Sequence, residues 1–287
     1  MTDIIDEKAY AKLNISLDVT GKRDDGFHNM LMVMQSISLS DSIRIELNNS
    51  GSVTSRSNYR FVPGDDRNLA VKAAKVFFAK CGDKSSGAHI SIRKHIPVGS
   101  GMGGGSADAA AVLKALNRVF GHPFSKEELA DIGAEVGSDV PFCVIGGTAL
   151  VQGRGELISP LPALPKCRFV ICKPSFSIST PELFKKLDAV SNRRHPDTAG
   201  IIEALEAGDL NRVCRRMYNV FEEVSDRRLR CVSEIKGILL DHGALGAVMT
   251  GTGSAVFGVF DNDSRSESAC AILKKEHGFC CIAECVQ

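Results

Sequence analysis

Residues 96–110 read Ile-Pro-Val-Gly-Ser-Gly-Met-Gly-Gly-Gly-Ser-Ala-Asp-Ala-Ala, with five glycines between positions 99 and 105. Glycine admits positive φ and lets a ligand approach the main chain closely, and successive N–H groups then converge on one anion. Ala109, Val112, Leu113, Leu116 and Phe120 follow at helical spacing. A side-chain-poor loop running into a helix start offers amides and the positive end of the helix dipole to a phosphate. Residues 99–108 are therefore expected to hold a polyphosphate, mainly through backbone groups. Gly99, Gly101 and Gly104 also satisfy G-x-G-x-x-G, the dinucleotide fingerprint. That motif needs a second strand ending in an acid about 20 residues on. Here Ser125 and Glu128 form a capping box ahead of Leu129, Ile132 and Val136, which predicts a second helix instead. No G-x-x-x-x-G-K-[ST] occurs.

Other residues could do chemistry, each with a plainer reading beside it. Asp139, in Gly-Ser-Asp-Val-Pro, is a carboxylate on a short rigid bend, suited to a catalytic base or only to a turn. Lys12 and Asn14 share the polar side of an early strand with Tyr10, Ser16 and Asp18, a face that could equally be solvated surface. Phe27 and His28 close a polar turn-rich segment, as a hairpin connection or as a pair that stacks a base and bonds its edge. His277 with Cys280, Cys281 and Cys285 has no C-x-x-C and places adjacent cysteines on opposite faces of a strand, so reduced core thiols are expected there rather than zinc.

These residues need elements to hold them. Alternation predicts strands over 9–19, 32–47, 89–94, 148–152, 169–172 and 279–286, with a short one within 48–66. Asn68 caps a helix carrying Leu69, Ala73, Val76 and Phe77. Gly137 is placed at C′ of the helix after Ser125, and Pro141 is expected to bar further helix. Ser179-Thr180-Pro181 starts another helix. Residues 190–200 read as a mobile loop. Two amphipathic helices are expected, one on Leu210, Val213, Met217 and Val220, the other on Leu229, Val232, Ile235 and Leu239 ending at Gly243. Residues 249–254 form a second glycine loop between strands, and Ala269, Ile272 and Leu273 mark a last helix. The proline-rich run 160–165 divides the chain into expected domains 1–160 and 161–287.

With 287 residues, 44% hydrophobic, 24% charged and a net charge of +1, the chain has the composition of a globular protein with no excess charge for nucleic acid or anionic membranes. No apolar run nears the ~20 residues that span a bilayer. The N-terminus lacks a signal-peptide pattern, and ten scattered cysteines suit a reducing compartment, so a cytoplasmic location is expected.

The wording of the glycine loop resembles the phosphate loop of the GHMP kinases, the family of galacto-, homoserine, mevalonate and phosphomevalonate kinases. Three further matches fall in the right order: Ala11-Lys12-Leu13-Asn14 with 21–23 and 25–28, then Gly137-Ser138-Asp139-Val140-Pro141, then Thr250-Gly251-Thr252-Gly253-Ser254. The opening segment is most similar to the branch whose substrate carries cytidine diphosphate. The resemblance implies an α+β protein with the two-domain GHMP kinase fold: an N-terminal α+β domain and a C-terminal ferredoxin-like α/β plait, with the active site between them. It implies ATP as donor, Mg²⁺, and phosphorylation of the 2-hydroxyl of a methylerythritol linked to cytidine diphosphate, in isoprenoid precursor synthesis. The alternative is a small alcohol such as homoserine or mevalonate. Lys12 and Asp139 then take the catalytic positions. Pro97, Gly99, Gly101, Met102, Gly103, Gly104, Gly105, Ser106 and Asp108 face ATP, with Asn68 and Lys94 near the adenine. Asn14, Phe27, His28, Thr180 and Thr252 fall at the substrate. The branch usually has Tyr where Phe27 stands and Ser where Ala107 stands, which removes two hydroxyls. The expected partner is that small molecule, without nucleic acid or membrane, the chain being a monomer or weak homodimer.

Overall fold

The computed structural model describes residues 4–83, 86–224 and 226–287, and the chain clusters into two compact units that are not contiguous in sequence. The first takes the chain up to Ala11, then Leu39–Ile96 and Gly103–Gly146; the second takes Lys12–Ser38, Pro97–Met102 and Gly147–Gln287. The long strands β1 (Ile4–Lys22) and β2 (His28–Asn48) are hydrogen-bonded neighbours that pass from one unit into the other.

In the first unit the end of β2 pairs antiparallel with β4 (Gly87–Arg93), and β3 (Val53–Ser57) adds parallel to β4. Four helices accompany them: α1 (Leu69–Lys80), α2 (Gly104–Val119), α3 (Lys126–Val136) and α4 (Val140–Ile145). The apolar stripes read from the sequence become one core, in which Phe77 of α1 meets Phe120 and Phe124 edge-on, both at 5.6 Å. The Ser125–Glu128 capping box forms. Gly137, however, is extended rather than left-handed, and Pro141 sits in the first turn of α4. A proline bars the helix interior but suits its start, where the missing N–H has no partner to lose.

The second unit contains β5 (Thr148–Gly153), which pairs antiparallel with β2, and β6 (Leu157–Pro160), which pairs with β5. It also holds a plait built from β7 (Arg168–Lys173), β9 (Gly246–Met249), β10 (Val256–Phe260) and β11 (Phe279–Glu284) in the order β11-β7-β10-β9. This is the ferredoxin-like order that the resemblance implies. Its helices are α5 (Thr180–Asp188), α6 (Thr198–Glu206), α7 (Leu210–Cys214), α8 (Leu229–Asp241) and α9 (Asp263–Glu276).

Two expectations fail in this unit. α6 starts inside the stretch read as loop, where Asp197 caps it through Gly200 N at 2.9 Å. The helix expected from Leu210 to Val220 stops at Cys214, and β8 (Tyr218–Asn219) pairs in parallel with Ser16 and Leu17. Pairing with a strand edge outweighs a helical periodicity that spans only three turns. The plainer reading of β1 is also overturned. Lys12, Asn14, Ser16 and Asp18 are buried, as are their apolar neighbours, so both faces of this strand lie in the interior.

Candidate active site

The first unit supplies the helix start. Gly103, with φ +69°, is the N-cap of α2 and contributes no side-chain hydrogen bond; only Ala107 N closes back onto its carbonyl, at 2.8 Å. The first-turn amides of a 16-residue helix therefore have no capping oxygen and point toward whatever anion arrives. Beneath them lies Lys94. A Cβ built on Gly104 would stand 3.2 Å from its Nζ. Lys94 is buried against two carboxylates, with Nζ 2.5 Å from Asp41 Oδ2 and 2.7 Å from Asp108 Oδ2. Burial opposes its charge, but the two carboxylates outweigh that and raise its pKa.

Of the residues predicted near adenine, Lys94 thus turns its ammonium inward, while Asn58 grips its main chain through Lys94 N (2.8 Å) and O (3.3 Å). Asn68 caps α1 through Ala70 N and donates to the Pro63 carbonyl at 2.8 Å. Asp139 is the N-cap of α4 without using its carboxylate for the cap; Val140 N bonds the Gly137 carbonyl at 3.1 Å and fixes the bend. Gly105 and Ser106 occupy the first turn of α2 and stay partly accessible.

In the second unit, residues 97–102 are tied to two elements. Lys12 N donates to the Met102 carbonyl at 3.1 Å, and Ala255 N to the Ser100 carbonyl at 3.1 Å. The two glycine loops meet backbone to backbone, since a Cβ on Gly251 would stand 2.7 Å from the Gly101 carbonyl, and one on Gly101 would collide with the Thr250 carbonyl. With Gly101 also at φ +79°, Gly101→Ala should cost roughly 2 kcal/mol or more, from the left-handed strain alone upward. Thermal melting checks this: a variant as stable as the parent would mean the loops do not pack this tightly.

Asn14 is the hub of this half. Its Oδ1 accepts from Lys12 Nζ (2.8 Å), Gly251 N (3.0 Å) and Thr250 Oγ1 (3.2 Å). Three donors on one oxygen set the amide's orientation and hold Lys12 in line. Asn219 locks the same loop by donating to the carbonyls of Met249 (2.7 Å) and Gly251 (2.8 Å). Thr180 and Thr252 bond to one another at 2.8 Å, joining α5 to the loop. Gly99 lies at the start of the segment, its would-be Cβ 2.6 Å from Ser177 Oγ, and Pro97 is half-buried.

Phe27 and His28 part company. Phe27 is 48% exposed and carries the Arg154 guanidinium 3.8 Å above its ring. His28 turns to α5, stacking on Phe184 at 4.6 Å while Nε2 lies 2.8 Å from Asp188 Oδ1. Burial works against the Asp188 charge, but His28 and Lys22 together hold its carboxyl below the usual range. Phe184 and Asp188 were missed from sequence. Phe184 reads there as one more apolar residue of a short helix; the usable signal was a large aromatic two residues from polar positions on both sides.

Among the described residues no helix is long and apolar enough to cross a membrane. The sequence model described as "GHMP kinases N terminal domain" matches residues 68–147, and that described as "GHMP kinases C terminal" matches 201–278. The chain is 42% identical to a 4-diphosphocytidyl-2-C-methyl-D-erythritol kinase of Lachnoclostridium phytofermentans, over 93% of this chain and 91% of that one. It is 43% identical to one of Clostridium perfringens, over 95% and 94%. A crystal structure of 4-(cytidine 5'-diphospho)-2C-methyl-D-erythritol kinase superposes with a TM-score of 0.81 at 29% identity, covering 99% of this chain and all of that one. A homoserine kinase of Cytophaga hutchinsonii shares the fold, with a TM-score of 0.79 at 19% identity. By sequence along nearly its whole length and by fold, this chain belongs to the GHMP kinase family, within the branch of the 4-diphosphocytidyl-2-C-methyl-D-erythritol kinases.

Proposed function

We propose that the protein transfers the γ-phosphoryl group of ATP to the 2-hydroxyl of 4-diphosphocytidyl-2-C-methyl-D-erythritol, a step of non-mevalonate isoprenoid precursor synthesis. The observation that carries this reading is the 42–43% identity to enzymes of that name along 93–95% of the chain. The amides of residues 99–106 receive the triphosphate, those at the start of α2 over the Lys94 charge. Asp139 accepts the hydroxyl proton as the oxygen attacks, and Lys12, oriented by Asn14, offsets charge on the transferring group. Mg²⁺ is the expected companion of ATP in this reading, and would be held mainly by the nucleotide's own phosphates. When bound it would supply positive charge that offsets the negative charge of the triphosphate.

His28, Phe27 and Phe184 bind the cytidine end, with Thr180 and Thr252 beside them. Phe27→Ala should raise KM for the alcohol substrate roughly 5- to 150-fold with KM for ATP unchanged, the usual worth of one base–aromatic stack. An unaltered KM removes Phe27 from the site.

The chain acts in the cytoplasm as a monomer or weak homodimer, with neither nucleic acid nor membrane as partner, and its domains are an N-terminal GHMP kinase domain over 1–160 and a C-terminal one over 161–287. ATP consumption measured over a panel of alcohols, with and without the cytidine diphosphate group, tests the substrate. Equal turnover of homoserine or mevalonate would replace it.

A further inference from the structure

We propose that Asp41, Lys94 and Asp108 form a buried charge cluster that positions the start of α2 and sets how tightly the loop holds an anionic phosphate. The inference rests on reading this loop as the ATP site. Asp41, on β2, is fully buried and accepts from two consecutive amides leading into the loop, His95 N at 2.5 Å and Ile96 N at 2.8 Å, while its other oxygen meets Lys94. One carboxylate thus fixes both the main chain approaching the loop and the ammonium beneath Gly104. Asp108 grips the same ammonium from the second turn of α2.

Charges in the cluster do not balance. One lysine faces two carboxylates, and Asp108 Oδ1 is buried without a hydrogen-bond partner. Burial pushes the Asp108 carboxyl up to about 8, with Asp41 reinforcing the rise and Lys94 opposing it. A proton on Asp108 near neutral pH cancels the excess charge.

Among the described residues, the charged groups named here on the elements around the cluster have other partners. His95 turns its Nδ1 to the Ser40 carbonyl. On α1, Lys72 binds the carbonyls of Glu135 and Val136, Lys75 binds Asp66 and Lys80 binds Glu135. On α2, Lys114 reaches the Cys143 carbonyl and Arg118 reaches Glu7. α4 has no charged residue between its ends. Above a pH of about 8 the cluster therefore carries one net negative charge directly beneath the phosphate site, and affinity is lost as pH rises.

Calorimetric binding of MgATP, without the alcohol substrate, tests this at pH 7 and pH 9. The parent protein should bind about tenfold more weakly at pH 9, as one added charge a few ångströms inside the surface implies. Asp41→Asn keeps an oxygen for both amides and leaves Lys94 balanced by Asp108 alone, so its affinity should change less than about twofold between the two values. Asp108→Asn should flatten the profile in the same way, should the first variant fail to fold. A variant with the parent's slope, or one weakened equally at both pH values with a lowered Tm, assigns the cluster a structural part only and overturns the proposal. A parent that fails to bind MgATP at pH 7 overturns the ATP reading and this inference together, whereas binding with no pH slope overturns the inference alone.

Discussion

Asp139→Asn should lower kcat about 10²-fold or more while leaving ATP affinity nearly intact. An alcohol holds its proton tightly at neutral pH, so attack on the γ-phosphorus needs a group that takes the proton as the bond forms. Asp139 stands on a backbone that is fixed from both sides. Gly137 and Val140 close the bend at 3.1 Å, and Pro141 pins the first turn of α4. Asparagine keeps the shape and removes the base. The carboxylate does not cap α4, so the helix start is kept, and a thermal melt of the variant separates the kinetic effect from a structural one. Steady-state kinetics with calorimetric ATP binding decide the matter. A near-normal kcat would assign the rate to positioning and the metal ion.

Lys12→Ala should cost a comparable factor in kcat, and the double variant should be little worse than either single one, since groups that serve one step act as a unit. Lys12 is 4% exposed and donates to Asn14, whose oxygen has two further donors in Thr250 and Gly251. Loss of the lysine therefore leaves Asn14 satisfied, and the expected damage is electrostatic rather than a collapse of the strand. A solvated surface lysine would change neither kcat nor KM. Effects that multiply in the double variant would show that the two groups serve different steps.

Local patterns in the chain determined much of this. The glycine content of 99–105 and the apolar spacing after it specify a loop feeding a helix, because backbone freedom and a 3.6-residue period are properties of neighbours in sequence. The Asn68 cap, the Ser125–Glu128 capping box and the stripe from Leu229 to Leu239 emerge as read, for the same reason. Short elements were less legible. α7 ends after five residues because Tyr218 and Asn219 are claimed by β1, a partner some two hundred positions away.

Tertiary structure alone decided which polar residues are surface and which are buried. Alternation along β1 placed Lys12 and Asn14 on one face, but a face is wet or dry only according to what packs on it, and here both faces are covered. The same holds for the partners of charge. Asp41 stands in the apolar phase of its strand, in line with Ile37, Ile43 and Ile45, and Lys94 in line with Ile90 and Ile92, so the local pattern turns both inward without saying what they meet. Folding brings them together under α2 with Asp108, where desolvation turns ordinary side chains into a coupled cluster. Periodicity reports how a segment is shaped; the energy of a buried charge depends on distance and on the water removed around it, and neither is written in any local stretch of sequence.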